Sequence, residues 1–295
     1  MATVTALITY PIKGCGGIEL PAAELTPAGL AHDRSFMVIG EDGVFRSQRR
    51  DPRLALIAPA IDAAGRVLAL RAPGTEPIEI VVAADGPRRP VTLFNVPYFG
   101  IDQGDAVAGW LTELLGVASR LVRVPPEHRR VTDGLIPGTS GYADSSPMHI
   151  LSTESLVDLN DLIVERGGAP LPMNRFRPNI VVTGWGEPYR EDNLRRITLG
   201  DTEFGYAKPA IRCAVTLVDQ YTGARSGPEP LRTLAVTRRV PQGGVAFGSK
   251  FAVLRTGRIT VGDEVVVTEW APPRPPVPPR DAHRSEPGDA LSPRR

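Results

Sequence analysis

The sequence predicts a mainly β, α+β chain: two β-rich units carrying a few short helices. Two observations carry this. Short runs of β-branched and aromatic residues recur along the chain, punctuated by Gly, Pro, Asn and Asp. Only three stretches place apolar residues at helical spacing. No internal repeat is present.

In order, "TALITY" reads as a strand, followed by the glycine-rich "KGCGG" and a short "IEL" strand. "SFMVIGEDGVFRSQ" reads as a hairpin, because Asp42-Gly43 between apolar runs is a strong turn signal. "RLALIAPAI", "GRVLALRA", "IEIVVAA" and "PVTLFNV" continue the strand pattern. "GDAVAGWLTELLG" is helical, with Trp110, Leu111, Leu114 and Leu115 on one face and Gly116 as its stop. "SRLVRV" follows as a strand, and a polar, glycine- and proline-containing connection runs to about Ala143. "STESLVDLNDLIVERGG" is an amphipathic helix capped by Ser152 or Thr153, with Leu156, Leu159 and Ile163 facing the core. "RPNIVVTG", "CAVTLVD" and "FAVLRTGRITVGDEVVVTE" read as strands, and "EPLRTLAVTRR" as a short helix. The units divide at 1–122 and 123–270. From 271 to 295 the composition turns proline-rich with little to bury, which predicts a disordered tail.

Charge and composition exclude several classes. With 295 residues and a formal charge of +1, the chain lacks the basic excess of a nucleic-acid or membrane-surface binder. Its N-terminus has no secretory pattern, and no apolar run approaches the ~20 residues of a membrane helix. Two cysteines at 15 and 213, with four scattered histidines, form neither a disulfide framework nor a zinc spacing. A reducing, cytoplasmic setting is expected. No phosphate-binding loop, dinucleotide fingerprint or serine-hydrolase elbow is present.

The segments suited to chemistry are "YPIKGCGG", "AHDRSF", "YADSSP", "NRFRPN" and "AIRC". Arg34, Arg177 and Arg212 each adjoin strand-like residues, and several converging guanidinium forks suit a phosphorylated cofactor. The "ADSSP" hydroxyls and loop N–H groups suit an anion as well. Each arginine has a plainer reading as half of an ion pair. Cys213 is either a thiolate nucleophile or soft-metal ligand favoured by Arg212, or a small core residue. Only Lys13, Lys208 and Lys250 are lysines among the basic residues, which directs attention to where they fall.

Taken together these stretches resemble the MOSC family, the molybdenum-cofactor sulfurase C-terminal superfamily, with its N-terminal β-barrel companion domain. "YPIKGCGGIEL" and "GLAHDRSFMVIGEDGVFRSQRRDPRLALI" resemble the companion. "ADSSPMHILSTESLVDLN", "RFRPNIVVTG", "IRCAVTLVDQYTG" and "GRITVGDEV" resemble the MOSC domain. Within the family, the likeness is to the amidoxime-reducing components of mitochondria and their bacterial counterparts. It implies a MOSC β-barrel packed on the companion domain, with a molybdenum-molybdopterin cofactor between them and no use of pyridoxal phosphate. Cys213 would be the metal ligand, and Asp144 would lie beside the metal and relay a proton. Lys13, Gly14, Arg34, Ser145, Ser146, Arg177, Ile211, Arg212 and Lys250 would contact the cofactor. Gly14 stands where the family usually has serine, so a hydroxyl contact is replaced by a backbone N–H.

The resemblance implies reduction of amidoximes, hydroxylamines or N-hydroxylated bases. Electrons would come from a separate ferredoxin, flavodoxin or reductase, since neither a membrane anchor nor a ferredoxin module is expected. Nucleic acid and membrane are not expected partners. A second reading stays open: a carrier that holds the cofactor, or a persulfide on Cys213, without turnover.

Overall fold

The computed structural model describes residues 1–272. The rest of the tail expected from 271 lies outside the described residues. The fold is mainly β with three α-helices among the described residues.

An eight-stranded sheet dominates, in the order Val266–Trp270, Leu194–Leu199, Thr202–Arg212, Val245–Arg255, Met148–Ser152, Ile180–Thr183, Thr3–Thr9 and Ile18–Leu20. Its one parallel pair, Met148–Ser152 with Ile180–Thr183, is joined by helix α2, Thr153–Glu165. Ladder pairing does not close this sheet into a barrel. Strand Thr3–Thr9 and the residue before it are instead tied to the segment leading into Val266–Trp270 by backbone bonds, Val4 N–H to the Asp263 carbonyl at 2.9 Å and Val265 N–H to the Ala2 carbonyl at 2.8 Å. Val4, Leu7, Ile180, Phe204 and Phe251 fill the core on this sheet.

The chain's first strand belongs to that sheet: Leu7 lies opposite Ile180 and Thr3 opposite Thr183. The N-terminal half also forms a five-stranded sheet, in the order Arg88–Leu93, Val96–Asp102, Arg120–Arg123, Phe36–Ile39 and Ile12–Lys13. Helix α1, Asp105–Leu115, buries Val107, Trp110, Leu111 and Leu114 against Leu54, Ile57, Leu68 and Leu121. It ends as expected at Gly116, whose φ of 72° closes the last turn without a Cβ clash.

Three local readings are corrected. "AVTL" after Cys213 is a 3-10 turn, Ala214–Leu217, held by Thr216 N–H and Thr216 Oγ1 on the Cys213 carbonyl at 3.0 and 2.9 Å. Its apolar residues imitate a strand, but the local side-chain bond favours the turn. The start of "RLALIAPAI" is likewise a 3-10 turn, Pro52–Leu56, before the strand Ala58–Ile61. In the hairpin around Gly43 the first arm is the strand Phe36–Ile39, while the second is reduced to single bridges such as Phe45 with Ile39. The short helix in "EPLRTLAVTRR" is α3, Leu231–Thr237.

Candidate functional site

The site residues implied by the resemblance all line one cavity: Lys13, Gly14, Arg34, Asp144, Ser145, Ser146, Arg177, Ile211, Arg212, Cys213 and Lys250. They arrive from separate elements. Lys13 ends the strand Ile12–Lys13, and Lys250 lies within Val245–Arg255. Ile211 and Arg212 end Thr202–Arg212, and Cys213 is the next residue, where the strand passes into the 3-10 turn. Asp144, Ser145 and Ser146 precede the strand Met148–Ser152. Arg34 and Arg177 occupy turns at φ values of 46° and 54°, a region side-chain-bearing residues rarely adopt.

Those two arginines share a scaffold. Both guanidinium carbons stand over the Tyr10 ring, at 4.3 Å for Arg34 and 4.2 Å for Arg177. Arg34 donates to both Asp33 carboxylate oxygens, at 2.8 and 2.6 Å, and Asp33 is fixed in turn by Tyr10 N–H and Asn179 Nδ2. Arg212 Nη2 donates to the Phe176 carbonyl at 2.9 Å. Arg177 Nη1 donates to Gln220 Oε1 at 3.3 Å. Arg177 Nη2 and Arg212 Nε are buried without an acceptor. Gln48 donates to the Gly14 carbonyl at 2.6 Å and exchanges amide hydrogen bonds of 3.0 Å with Gln220, joining the two halves of the chain.

Among the described residues, six cationic side chains but a single carboxylate, Asp144, line the cavity. Lys13 pairs with Asp144, donates to the Tyr142 carbonyl at 3.0 Å, and sits 4.8 Å from the Phe94 ring centroid. Burial pulls the Lys13 ammonium below its ordinary range in spite of that partner. Burial would raise the Asp144 carboxyl, but Lys13, with help from Lys250, outweighs it and holds the group well below the carboxylate range. The Asp144 side chain is 63% exposed and lines the cavity. Lys250 is pushed down to about 7, first by burial and then by Arg212 and Arg34, against the pull of Asp144 and Asp33.

The cavity also takes residues not picked out from the sequence: Phe45, Ser47, Gln48, Arg49, Ala143, His149, Phe176, Asn179 and Val215. Gln48 and Arg49 lie in "FRSQRR" and His149 in "SPMHIL", segments whose likeness to the family was noted without these positions being chosen. Cys15 is not a wall residue. It is fully buried in the core beside α1, and burial pushes its thiol up to about 12. Lys208 stands apart, paired with Asp133. Among the described residues no group of three or more His, Cys, Asp or Glu side chains is placed to hold a metal ion. No described helix is long and apolar enough to cross a membrane.

Residues 1–118 match the MOSC N-terminal beta barrel domain and residues 137–266 the MOSC domain. The chain is 36% identical over 287 residues to "Mitochondrial amidoxime reducing component 2" of Rattus norvegicus, covering 90% of this chain and 83% of that protein. It is 33% identical over 290 residues to "Mitochondrial amidoxime-reducing component 1" of Homo sapiens, covering 90% and 82%. It is 31% identical over 264 residues to "Molybdenum cofactor sulfurase" of Danio rerio, covering 83% of this chain but 31% of that protein. Among solved structures, the YUAD protein of Bacillus subtilis aligns over 90% of this chain and 94% of its own at 12% identity and a TM-score of 0.35.

Proposed function

The chain belongs to the MOSC family, with both the MOSC N-terminal beta barrel domain and the MOSC domain, and on that premise we propose that it is a molybdenum-cofactor-dependent oxidoreductase reducing N-hydroxylated compounds. The observation that carries the reading is the convergence of Cys213 and a ring of cations on one cavity. Its relatives include amidoxime-reducing components at 33–36% identity over 90% of the chain.

The residues fit an anionic pterin cofactor. Arg177 Nη2 and Arg212 Nε are buried donors without acceptors, and such atoms cost about 1–3 kcal/mol each unless a ligand satisfies them. Phosphate oxygens are the acceptors that guanidinium forks match best. Lys13, Gly14, Arg34, Ser145, Ser146 and Ile211 would complete the contacts, and Cys213 would hold the molybdenum through its thiolate.

Reduction of an N-hydroxyl group takes two electrons and two protons, breaks the N–O bond and releases the oxygen as water. A molybdenum centre held here would supply the electrons. This chain's side chains supply position and protons. Asp144 is kept ionised by Lys13, so it orients and accepts rather than donating at neutral pH. Lys250, with its ammonium pulled down to about 7, holds and releases a proton near neutrality and shares the relay with Asp144.

Electrons would reach the site from a separate protein. Arg49 on the cavity wall, with Arg50, Arg53 and Arg225, is exposed and makes no ion pair among the described residues. Arg225 donates to the Arg49 carbonyl, which gathers part of this set beside the cavity. Unpaired cations of this kind suit the acidic face of a ferredoxin or flavodoxin. Reversing Arg50 and Arg53 to Glu should raise KM for reduced flavodoxin and leave turnover with dithionite unchanged. An unchanged KM would remove this surface from the account.

The test of the function is to purify the chain from a molybdenum-replete host and assay benzamidoxime reduction with dithionite as donor. Wild type should carry about one molybdenum per chain and turn over, and Cys213→Ala should fold but lose activity. Zinc or no metal would overturn the assignment, and a loaded but inert protein would point to the carrier reading instead.

A further inference from the structure

Arg130 is half-buried, stands outside the cavity wall and makes no ion pair among the described residues. Its guanidinium is turned instead to the main chain of the loop that precedes strand Met148–Ser152. Nη1 donates to the Gly141 carbonyl at 3.0 Å and the Ala143 carbonyl at 2.5 Å, with Ser140 Oγ at 3.5 Å, and Nη2 donates to the Asp144 carbonyl at 2.8 Å. Three carbonyls within four residues converge on one fork. Arg130 is itself pinned, its carbonyl accepting from Ser140 N–H at 3.0 Å beside the pairing of Val131–Thr132 with Gly138–Thr139.

The consequence lies on the opposite side of that loop. Its peptide bonds are trans, so each carbonyl and the N–H of the next residue point in opposite directions. The Gly141 carbonyl faces Arg130, and the Tyr142 N–H accordingly turns the other way, to the carbonyl of the wall residue Arg34 at 3.0 Å. By the same geometry, the Ala143 and Asp144 carbonyls on Arg130 direct the Asp144 and Ser145 N–H groups away from it. Both residues line the cavity, and neither N–H has an acceptor among the described residues. Two successive N–H groups make a donor pair suited to an anionic oxygen. The carboxylate nearest to them, that of Asp144, is neutralised by Lys13.

We propose that Arg130 is a positioning residue of the cavity: by drawing the Ala143 and Asp144 carbonyls to itself, it holds the Asp144 and Ser145 N–H groups toward an anionic oxygen of the ligand. This rests on the reading of the cavity as the site of an anionic cofactor. A lysine at 130 keeps the charge but not the planar fork that spans the carbonyls, so charge and positioning are separable.

The test uses isotopically labelled, pterin-free wild type and Arg130→Lys, titrated with inorganic phosphate while the amide signals are followed by NMR. In wild type the Asp144 and Ser145 amide protons should move downfield as phosphate binds, well beyond Tyr142, whose N–H is already bonded. Arg130→Lys should bind phosphate about tenfold more weakly, roughly the loss of one charge-assisted hydrogen bond, and should lose the movement at both amides. Asp144 and Ser145 amides that ignore phosphate in wild type would overturn the proposal, and that result needs no variant to fold. An Arg130→Lys protein with wild-type affinity would overturn it as well, whether or not it melts lower, because Arg130 would then only brace the loop or supply charge. Pterin per chain is also measured on both proteins from a pterin-producing host, where Arg130→Lys should retain about tenfold less. Wild type empty of pterin would overturn the cofactor reading, a result distinct from the phosphate response.

Discussion

Lys250 carries its charge in a place that resists it. Its ordinary value of 10.5 falls to about 7 in the folded chain. Between those values the unfolded chain keeps a proton that the folded chain has lost, so this group adds stability as pH rises from about 7 toward 10 and its full penalty stands below 7. Lys250→Met should flatten that rise, read as the melting temperature of cofactor-free protein across pH 7 to 10. An unchanged slope would show that the ammonium is solvated. At this scale the sequence was informative where a residue's chemistry was conspicuous against its neighbours. Lys13 and Lys250 stood out in an arginine-rich chain, and Cys213 as one of two thiols. His149 did not, because it sits among Met148, Ile150 and Leu151 in a wholly buried strand. A histidine there reads as core until its place on the cavity wall is seen.

Helix α2 shows what an element gains from its first turn. Ser152 Oγ accepts from Ser155 N–H at 3.1 Å, and Ser152 Oγ and Ser155 Oγ both donate to the buried Glu191 carboxylate, at 3.0 and 2.7 Å. Ser152→Ala should therefore cost more than an isolated cap, about 2 kcal/mol rather than ~1. Urea unfolding gives the number, and a loss under about 0.5 kcal/mol would mean that solvent or Ser155 replaces the bond. Both the cap and the apolar face at Leu159 and Ile163 were legible, since they depend on residues three or four apart. Glu191 was not, being 39 residues from Ser152. The 3-10 turn after Cys213 escaped for another reason: "AVTL" satisfies strand patterning, and only the two bonds from Thr216 decide against it.

At the scale of the molecule, the fold class was readable because it depends on composition and turn chemistry, but the exchange of strands between the halves was not. Nothing local says that Thr3–Thr9 pairs with Ile180–Thr183. A fragment of residues 123–272 would leave the apolar edge of Ile180–Thr183 unpaired, a template for association. It should aggregate or melt without cooperativity, and a fragment with a sharp melt and a monomeric elution profile would refute this. The same pairing bears on biosynthesis. Thr5 reaches the Val181 carbonyl across 176 positions, and the cavity needs Lys13 from near the start and Lys250 from near the end. No nascent chain on the ribosome can present that cavity until strand Val245–Arg255 has emerged. On the proposed function, cofactor insertion would therefore be a late maturation step that competes with turnover of the finished but empty chain, and pterin supply would set how much protein accumulates.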